Sequence, residues 1–416
     1  MLNPHLVMVV FYLSLAAAAT LGAGLISAGL LPAFAGLRWL RVHFITLGIL
    51  TQVLFAALPW LTARQVGQPR PRIRWDVWLI YNAGLIALLV GIPLVSTAMM
   101  IAGGTLVFVA VLVLIWQVQG LARAGSARCA ISSRFYGAGL LYLLLGVFLG
   151  TGLWLDWASW LHLPAPKEVH VHSNLWGFGS LVLGGLLLDL RTRLAPASSA
   201  VRAKWPAVAF VLMVIGALGL VLGPWLEIRI LDAGGVAIHA VGTLVLLVGM
   251  ARGLRAADRL RTPGSLQLLT PYAWQMVAVL MAPVVVFAAG TAAAGAIAGE
   301  GSLILTYGWL LGFAFALLPY LLEARLSPGR EPELGGTWIS LGAGHLGTVL
   351  YTASLFLVDY RGLLQTVAFM LWTLALLPIL ARSWRALGAA TSRLEALDRQ
   401  PATSAPAREG GGVKEC

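Results

Sequence analysis

Long apolar runs separated by short polar stretches dominate this chain. A bilayer core about 30 Å thick requires about 20 apolar residues in an α-helix. Runs of this kind lie near residues 6–31, 43–61, 77–97, 98–120, 135–155, 169–190, 205–224, 234–251, 273–298, 303–322, 337–358 and 362–382. The pattern predicts an all-α, polytopic membrane protein with about 12 transmembrane helices in one domain, residues 1–382.

Charge supports this interpretation and adds an orientation. Hydrophobic residues make up 59% of the chain and charged residues 11%, whereas soluble domains carry roughly 25% charged residues. The net charge of +12 comes from arginines that follow every second span, such as Arg64, Arg193 and Arg325, and not from one patch suited to nucleic acid. The positive-inside rule therefore predicts cytoplasmic termini. The lipid bilayer, as the cytoplasmic membrane of a bacterium or archaeon, is the main expected partner.

The two ends and the cysteines add little chemistry. No Lys or Arg precedes the first apolar run, which continues to Leu31, so we expect a retained first helix and not a cleaved signal peptide. Residues 383–416 mix Arg, Ala, Pro and Gly and are predicted to form a disordered cytoplasmic tail. The two cysteines, Cys129 and Cys416, are too few for a disulfide framework or a cysteine zinc site.

Five histidines fall inside the predicted spans, where acidic and basic side chains are nearly absent: His43, His170, His172, His239 and His345. Ionisable groups within a membrane are costly, so each is a functional hypothesis. A helical rise of about 1.5 Å per residue places the first three near the outer side and the last two near mid-membrane, roughly 10 Å lower. A site made of imidazoles alone favours haem iron or copper over hard cations. The alternative is that each histidine only joins two helices by a hydrogen bond.

The two neighbouring histidines of the sixth span need separate treatment. Residues i and i+2 of a helix point about 200° apart, so His170 and His172 cannot chelate one ion on a regular helix. They suit two sites on opposite sides of that helix, with Asn174 as a candidate to orient a ring. Alternatively, His170 is only an interfacial residue beside Lys167 and Glu168.

Two arginines lie in the first outer loop, against the general alternation of charge. Arg38 and Arg41 come just before His43. They are either interfacial anchors or partners for an anion such as a haem propionate, since guanidinium pairs bidentately with carboxylate.

A spacing of four helices connects three short motifs. His43-x4-Gly48, His172-x4-Gly177 and Tyr307-x4-Gly312 open the second, sixth and tenth spans, with tyrosine replacing histidine in the third. Such a spacing is typical of an internal repeat and predicts three pseudo-symmetric four-helix arcs.

These motifs resemble the haem–copper oxidase subunit I superfamily. Arg41-Val42-His43 with Gly48 resembles its second-helix haem ligand segment, and residues 170–177 are similar to an H-x-H-x-N-x-x-G segment of small oxidase-like membrane proteins. The segment from His239 to Gly242 resembles the NnrS family of haem- and copper-containing membrane proteins.

The resemblance implies haem b, with copper as a second candidate, held among His43, His170, His172, His239 and His345. It also implies a redox role related to oxygen or nitric oxide, in an oxidoreductase or electron-transfer protein served by an electron-donor protein or partner subunit. The seventh span lacks an adjacent histidine pair and the tenth lacks H-x-H, so we do not expect proton pumping.

Two other functions fit twelve spans. A secondary transporter of a small solute would use helices broken near Pro93, Pro283 and Pro319. An assembly or sensor subunit would use its histidines mainly to join helices.

Overall fold

Helices account for nearly all regular structure in the computed structural model, which describes residues 2–125, 130–194, 204–327 and 331–398. These residues contain no strand, and their main helices match the predicted spans in order, which confirms the all-α membrane fold. The helices are α1 Pro4–Ser27, α2 Leu37–Gln65, α3 Trp75–Gly91, α4 Thr97–Ala124, α5 Ile131–Trp154, α6 Pro166–Leu194, α7 Trp205–Leu226, α8 Arg229–Ala256, α9 Pro263–Phe287, α10 Ala292–Leu326, α11 Trp338–Ser354 and α12 Arg361–Asp398.

Helix length fits passage through a bilayer. Ten of the helices in the described residues are long and apolar enough to cross a membrane. The other two, α3 and α11, have 17 residues each, which is the lower limit for a transmembrane helix. Large aliphatic side chains such as Leu79, Leu141 and Leu280 are exposed on the outside of the bundle, as expected for a surface that faces lipid.

Three helices form the centre of the bundle. In the apolar stretches of α2, α6 and α10, 78%, 83% and 83% of the residues are buried, and among the described long helices no other exceeds 50%. Helix α1 packs along α12, so the first and last helices are neighbours. Each central helix is the second of four consecutive helices, which is the arrangement that the fourfold spacing predicts.

Each central helix also contains a π-helical segment near its N-terminal end. These segments are Phe44–Thr51 in α2, Ser173–Gly179 in α6 and Ile304–Leu311 in α10. Such a segment contains an extra residue relative to an α-helix, is rare, and is frequently found at functional sites. Its occurrence at one place in all three central helices supports an internal repeat.

Close packing against the preceding helix sets the register of the three repeats. A Cβ added at Gly48 would lie 2.7 Å from Tyr12 of α1, and one at Gly177 would lie 2.4 Å from Tyr142 of α5. In the third repeat the equivalent contact is made by Gly308, where a Cβ would lie 2.7 Å from Thr348 and 2.8 Å from Trp274 of α9.

The predicted motif of the third repeat is therefore wrong by one helical turn. Its π-segment follows Leu303, as the other two follow His43 and His172. The repeat thus reads Leu303-x4-Gly308, and Tyr307 with Gly312 matched the pattern by residue type alone.

One further prediction is corrected at the end of the last helix. Helix α12 continues through residues 383–398, where a disordered tail was expected, because this stretch is rich in Ala and Leu, which favour helix. The rest of the tail, residues 399–416 with Cys416, and also Cys129, lie outside the described residues. The transporter alternative predicts broken helices at three prolines. Pro283 and Pro319 lie inside helices that continue through them, and Pro93 lies in the turn after α3.

Candidate functional site

His43 and His170 line one cavity between α2 and α6. Its volume is about 430 Å³, within the usual range for small-molecule and cofactor sites. The walls are mainly apolar, with side chains such as Leu47, Leu88 and Phe178. The two imidazoles are also within electrostatic range of each other. The structure therefore brings together two histidines that lie 127 positions apart in the sequence.

The same nitrogen of each ring is anchored to the backbone. His43 Nδ1 lies 2.8 Å from the Trp39 carbonyl oxygen, and His170 Nδ1 lies 2.8 Å from the Gly146 carbonyl oxygen. A carbonyl oxygen only accepts, so each Nδ1 carries the proton and donates it, which leaves the lone pair on Nε2. Metal-ligating histidines are commonly oriented in this way. The Trp39 ring stacks on His43 at 3.8 Å between centroids, which further limits rotation of that imidazole.

Glycines on α5 make room for the His170 ring. A Cβ added at Gly150 would lie 2.7 Å from His170 Cε1, and one at Gly146 would lie 2.3 Å from Asn174 Nδ2. Asn174 donates in turn to the His170 carbonyl at 2.9 Å. The two glycines therefore let the His170 imidazole lie close to the α5 backbone, where the Gly146 carbonyl oxygen accepts its hydrogen bond.

His172 lines a second cavity on the other side of α6. This cavity has a volume of about 610 Å³ and lies between α6, α7, α8, α9 and α10. His172 Nδ1 donates to the Leu220 carbonyl oxygen at 2.6 Å, and Asp232 lies on the same wall. The two histidines of the H-x-H motif thus serve opposite sides of the helix, as the i, i+2 geometry requires.

The repeat explains why only one cavity has two imidazoles. His43 and His172 hold the position before the π-segment, and His170 stands two residues earlier in its own repeat. At the interface between α2 and α6, the position before the π-segment of the first repeat is His43, and the position two residues earlier in the second repeat is His170. At the interface between α6 and α10, the same two positions are His172 and Gly301.

The third interface, between α10 and α2, has neither imidazole. The corresponding positions there are Leu303 and Arg41. Arg41 is 6% exposed, and its guanidinium lies 4.5 Å over the Phe369 ring. Its Nε and Nη1 have no hydrogen-bond partner among the described residues. Arg41 is not among the residues that line the cavity of His43 and His170, where one of the two alternatives for it predicted a propionate partner.

Two other cations do line that cavity. Arg38 lies at its edge, forms an ion pair with Glu300 at 2.8 Å and donates to the Gly299 carbonyl oxygen. Tyr351 donates to the other Glu300 oxygen at 2.6 Å. Lys167 is the second cation. Its spacing is the one signal in the sequence that could have found it, since Lys167 comes three residues before His170 and so shares its face of the helix.

His239 and His345 lie apart from this site and have both ring nitrogens engaged. His239 Nε2 lies 3.2 Å from the Trp176 carbonyl oxygen, and its Nδ1 lies 3.3 Å from the Thr243 hydroxyl. His345 Nδ1 accepts from the Trp274 indole at 2.8 Å, and its Nε2 lies 2.8 Å from the Thr270 hydroxyl. Both fit the alternative of histidines that join helices.

A further histidine, which the sequence patterns do not single out, is buried in the first helix. His5 is 4% exposed, and its Nδ1 donates to Gln52 Oε1 at 2.5 Å. Its ring stacks on Phe55 at 5.2 Å. His5 therefore joins α1 to α2 near the end of the bundle that carries the arginine-rich loops.

In the part of the chain that the structure describes, the candidate site contains two imidazoles, those of His43 and His170. There, no three His, Cys, Asp or Glu side chains come together as a metal-binding group, so copper stays a prediction without a ligand cluster. No family model matches the chain, and no curated protein matches it. The resemblance to haem–copper oxidases and to the NnrS family therefore rests on the sequence motifs alone.

Proposed function

We propose that this protein binds a b-type haem between α2 and α6, that His43 and His170 hold it, and that the protein carries electrons within the membrane. The observation that supports this most directly is the shared cavity. It receives two imidazoles whose Nδ1 atoms are both bound to backbone carbonyls, so that both Nε2 atoms keep the lone pair that coordinates iron.

The composition of the cavity fits such a group. Its apolar walls suit a porphyrin ring, and Arg38 and Lys167 at the same cavity suit the two propionates. Glu300 holds the Arg38 side chain in place through the ion pair. Arg41 and the more distant His239 and His345 are not in the proposed ligand set.

Two histidine ligands favour electron transfer over reaction with a gas. A haem held by two imidazoles would supply one-electron redox chemistry. His43 and His170 would both serve as ligands, and their backbone anchors limit the movement that freeing a position for oxygen or nitric oxide requires. A reductase role would therefore require one of these ligands to dissociate.

The orientation and setting belong to the same proposal. We infer that the arginine-rich end faces the cytoplasm of a bacterial or archaeal cell and that the haem lies toward the outer side, reached by an electron-donor protein or partner subunit. The transporter alternative has less support, because the helices at Pro283 and Pro319 continue through these residues. The turn in α9 lies instead at Thr270 and Pro271, between Pro263–Leu269 and Tyr272–Phe287.

A spectrum with matched variants tests the proposal. The full chain, expressed with haem supplied and purified in detergent, should show a Soret band and the sharp reduced α-band of a six-coordinate b-type haem. His43→Ala and His170→Ala should each abolish the six-coordinate spectrum, whereas His345→Ala should retain it. A wild-type protein without a Soret band would refute the proposal.

A further inference from the structure

The three central helices end in arginines that converge on one indole. Arg64, Arg193 and Arg325 are each the penultimate residue of their helix, α2, α6 and α10. Their guanidinium carbons lie 5.7, 4.8 and 4.2 Å from the centre of the Trp60 ring. No two of these carbons can then be more than about 10.5 Å apart, the sum of the two larger distances.

A single arginine at this place needs no special explanation. Cations are favourable near the C-terminus of a helix, and arginines are common at the cytoplasmic ends of transmembrane helices. Three guanidinium groups on one ring are different, because their mutual repulsion opposes the cation–π attraction to the indole. Arg325 is also within electrostatic range of a fourth cation, Arg70.

Within the described ranges, no carboxylate forms an ion pair with any of these arginines. Asp189 is the acidic group in electrostatic range of Arg193, but it accepts hydrogen bonds from neutral donors. Ser132 and Tyr136 donate to its two oxygens at 2.7 and 2.8 Å, and Gln65 donates at 3.2 Å. The positive charge of the cluster is thus left for a ligand to balance.

A pocket opens beside the cluster at the arginine-rich end. Trp60, Arg325, Arg70 and Arg72 line it together with the apolar Phe55. Arg64 and Arg193 are not among the residues that line this pocket. We propose that Arg325, Arg70 and Arg72 bind a phosphate-bearing anion there, and that Arg64 and Arg193 add positive charge beside the same indole. Guanidinium groups bind phosphate oxygens in pairs of parallel hydrogen bonds, and several around one centre are typical of phosphate recognition.

Two sources supply this chemistry at the inner end of a membrane protein. One is a soluble phosphate, and the other is the headgroup of an anionic phospholipid, which basic pockets between helices commonly bind. The site does not involve His43 or His170, so it is independent of the proposed haem.

The experiment measures thermal unfolding of the full chain in detergent. Inorganic phosphate is titrated against chloride at constant ionic strength, and phosphatidylglycerol is compared with phosphatidylcholine in mixed micelles. An anion that binds the folded state raises the free energy of unfolding by RT ln(1 + L/Kd), where L is the free anion concentration, so the unfolding midpoint rises with the logarithm of the anion concentration above its Kd. Protection by phosphate alone identifies the soluble source, and protection by phosphatidylglycerol identifies the lipid.

Charge-matched variants decide whether the cluster is responsible. Arg325→Gln and Arg70→Gln should each weaken the apparent affinity by about tenfold, as expected for one lost charged hydrogen-bonding partner. Arg70 is exposed, so its variant should fold even if Arg325→Gln does not. Arg255→Gln removes an equal charge from an exposed position after the eighth span and should bind like the wild type. Absence of protection by both anions, or equal loss in Arg255→Gln, would overturn the proposal.

Discussion

Substitution of Gly150 by alanine should disturb the haem site without removing a ligand. The new Cβ would lie 2.7 Å from His170 Cε1 and 3.0 Å from its Nδ1. Ordinary carbon contacts begin at 3.4 Å, so the ring has to move by about 0.7 Å. If that movement lengthens the 2.8 Å bond from His170 Nδ1 to the Gly146 carbonyl, the distance becomes about 3.5 Å, beyond the normal range.

The expected result is weaker haem retention in a protein that still folds. Loss of an outer-shell partner of a metal-ligating histidine typically costs 10–100-fold in affinity. Crowding of a packed site costs about 1–3 kcal/mol of unfolding free energy, which lowers the unfolding midpoint without abolishing the fold. The haem-to-protein ratio after gel filtration and the rate of haem transfer to apomyoglobin measure the first effect.

Gly137→Ala is the matched control on the same helix. A Cβ at Gly137 meets no atom within 4 Å, so this variant should keep the haem content and spectrum of the wild type. The reasoning fails if Gly150→Ala retains haem as well as Gly137→Ala does, because the contact between the new Cβ and His170 would then have no effect on haem binding.

Three further outcomes are expected. Gly177→Ala puts a Cβ 2.4 Å from the Tyr142 ring and should lower the free energy of unfolding by about 1–3 kcal/mol in chemical denaturation; an unchanged value would contradict the packing at the π-segment. His345→Ala leaves the Trp274 indole without its acceptor and should cost about 1–3 kcal/mol while the Soret band stays, and loss of that band would restore His345 as a ligand. Lys167→Gln should speed haem transfer to apomyoglobin several-fold, and a rate equal to that of the wild type would remove Lys167 from propionate binding.

The membrane fold was predictable because its main cause is local. The length of each apolar run is set by the thickness of the bilayer, so twelve runs predict twelve helices without knowledge of their packing. The end of α12 was less predictable, since helix propensity after residue 382 competes with the Pro- and Gly-rich composition that follows it.

The candidate site was only partly predictable because it depends on which helices are neighbours. Residue type and depth selected His43 and His170, and the i, i+2 rule separated His170 from His172. Nothing local reveals that His43 shares its cavity with His170. Likewise, Trp176 and Trp274, which occupy one nitrogen each of His239 and His345, lie 63 and 71 positions away in the sequence.

The repeat register failed for a related reason. Matching by residue type chose Tyr307 and Gly312, whereas the structural equivalence depends on an aromatic residue of the preceding helix packed against a glycine. The sequence carries a weak trace of this relation, since Tyr12, Tyr142 and Trp274 precede their glycines by 36, 35 and 34 residues.

The third π-segment has an evolutionary consequence. It follows Leu303, a residue that ligates nothing, yet it keeps the extra residue found after His43 and His172. If the three arcs descend from one duplicated ancestor, the insertion is older than the present distribution of histidines. Cofactor sites would then have been gained or lost by exchange of single side chains, without rebuilding the helices that carry them.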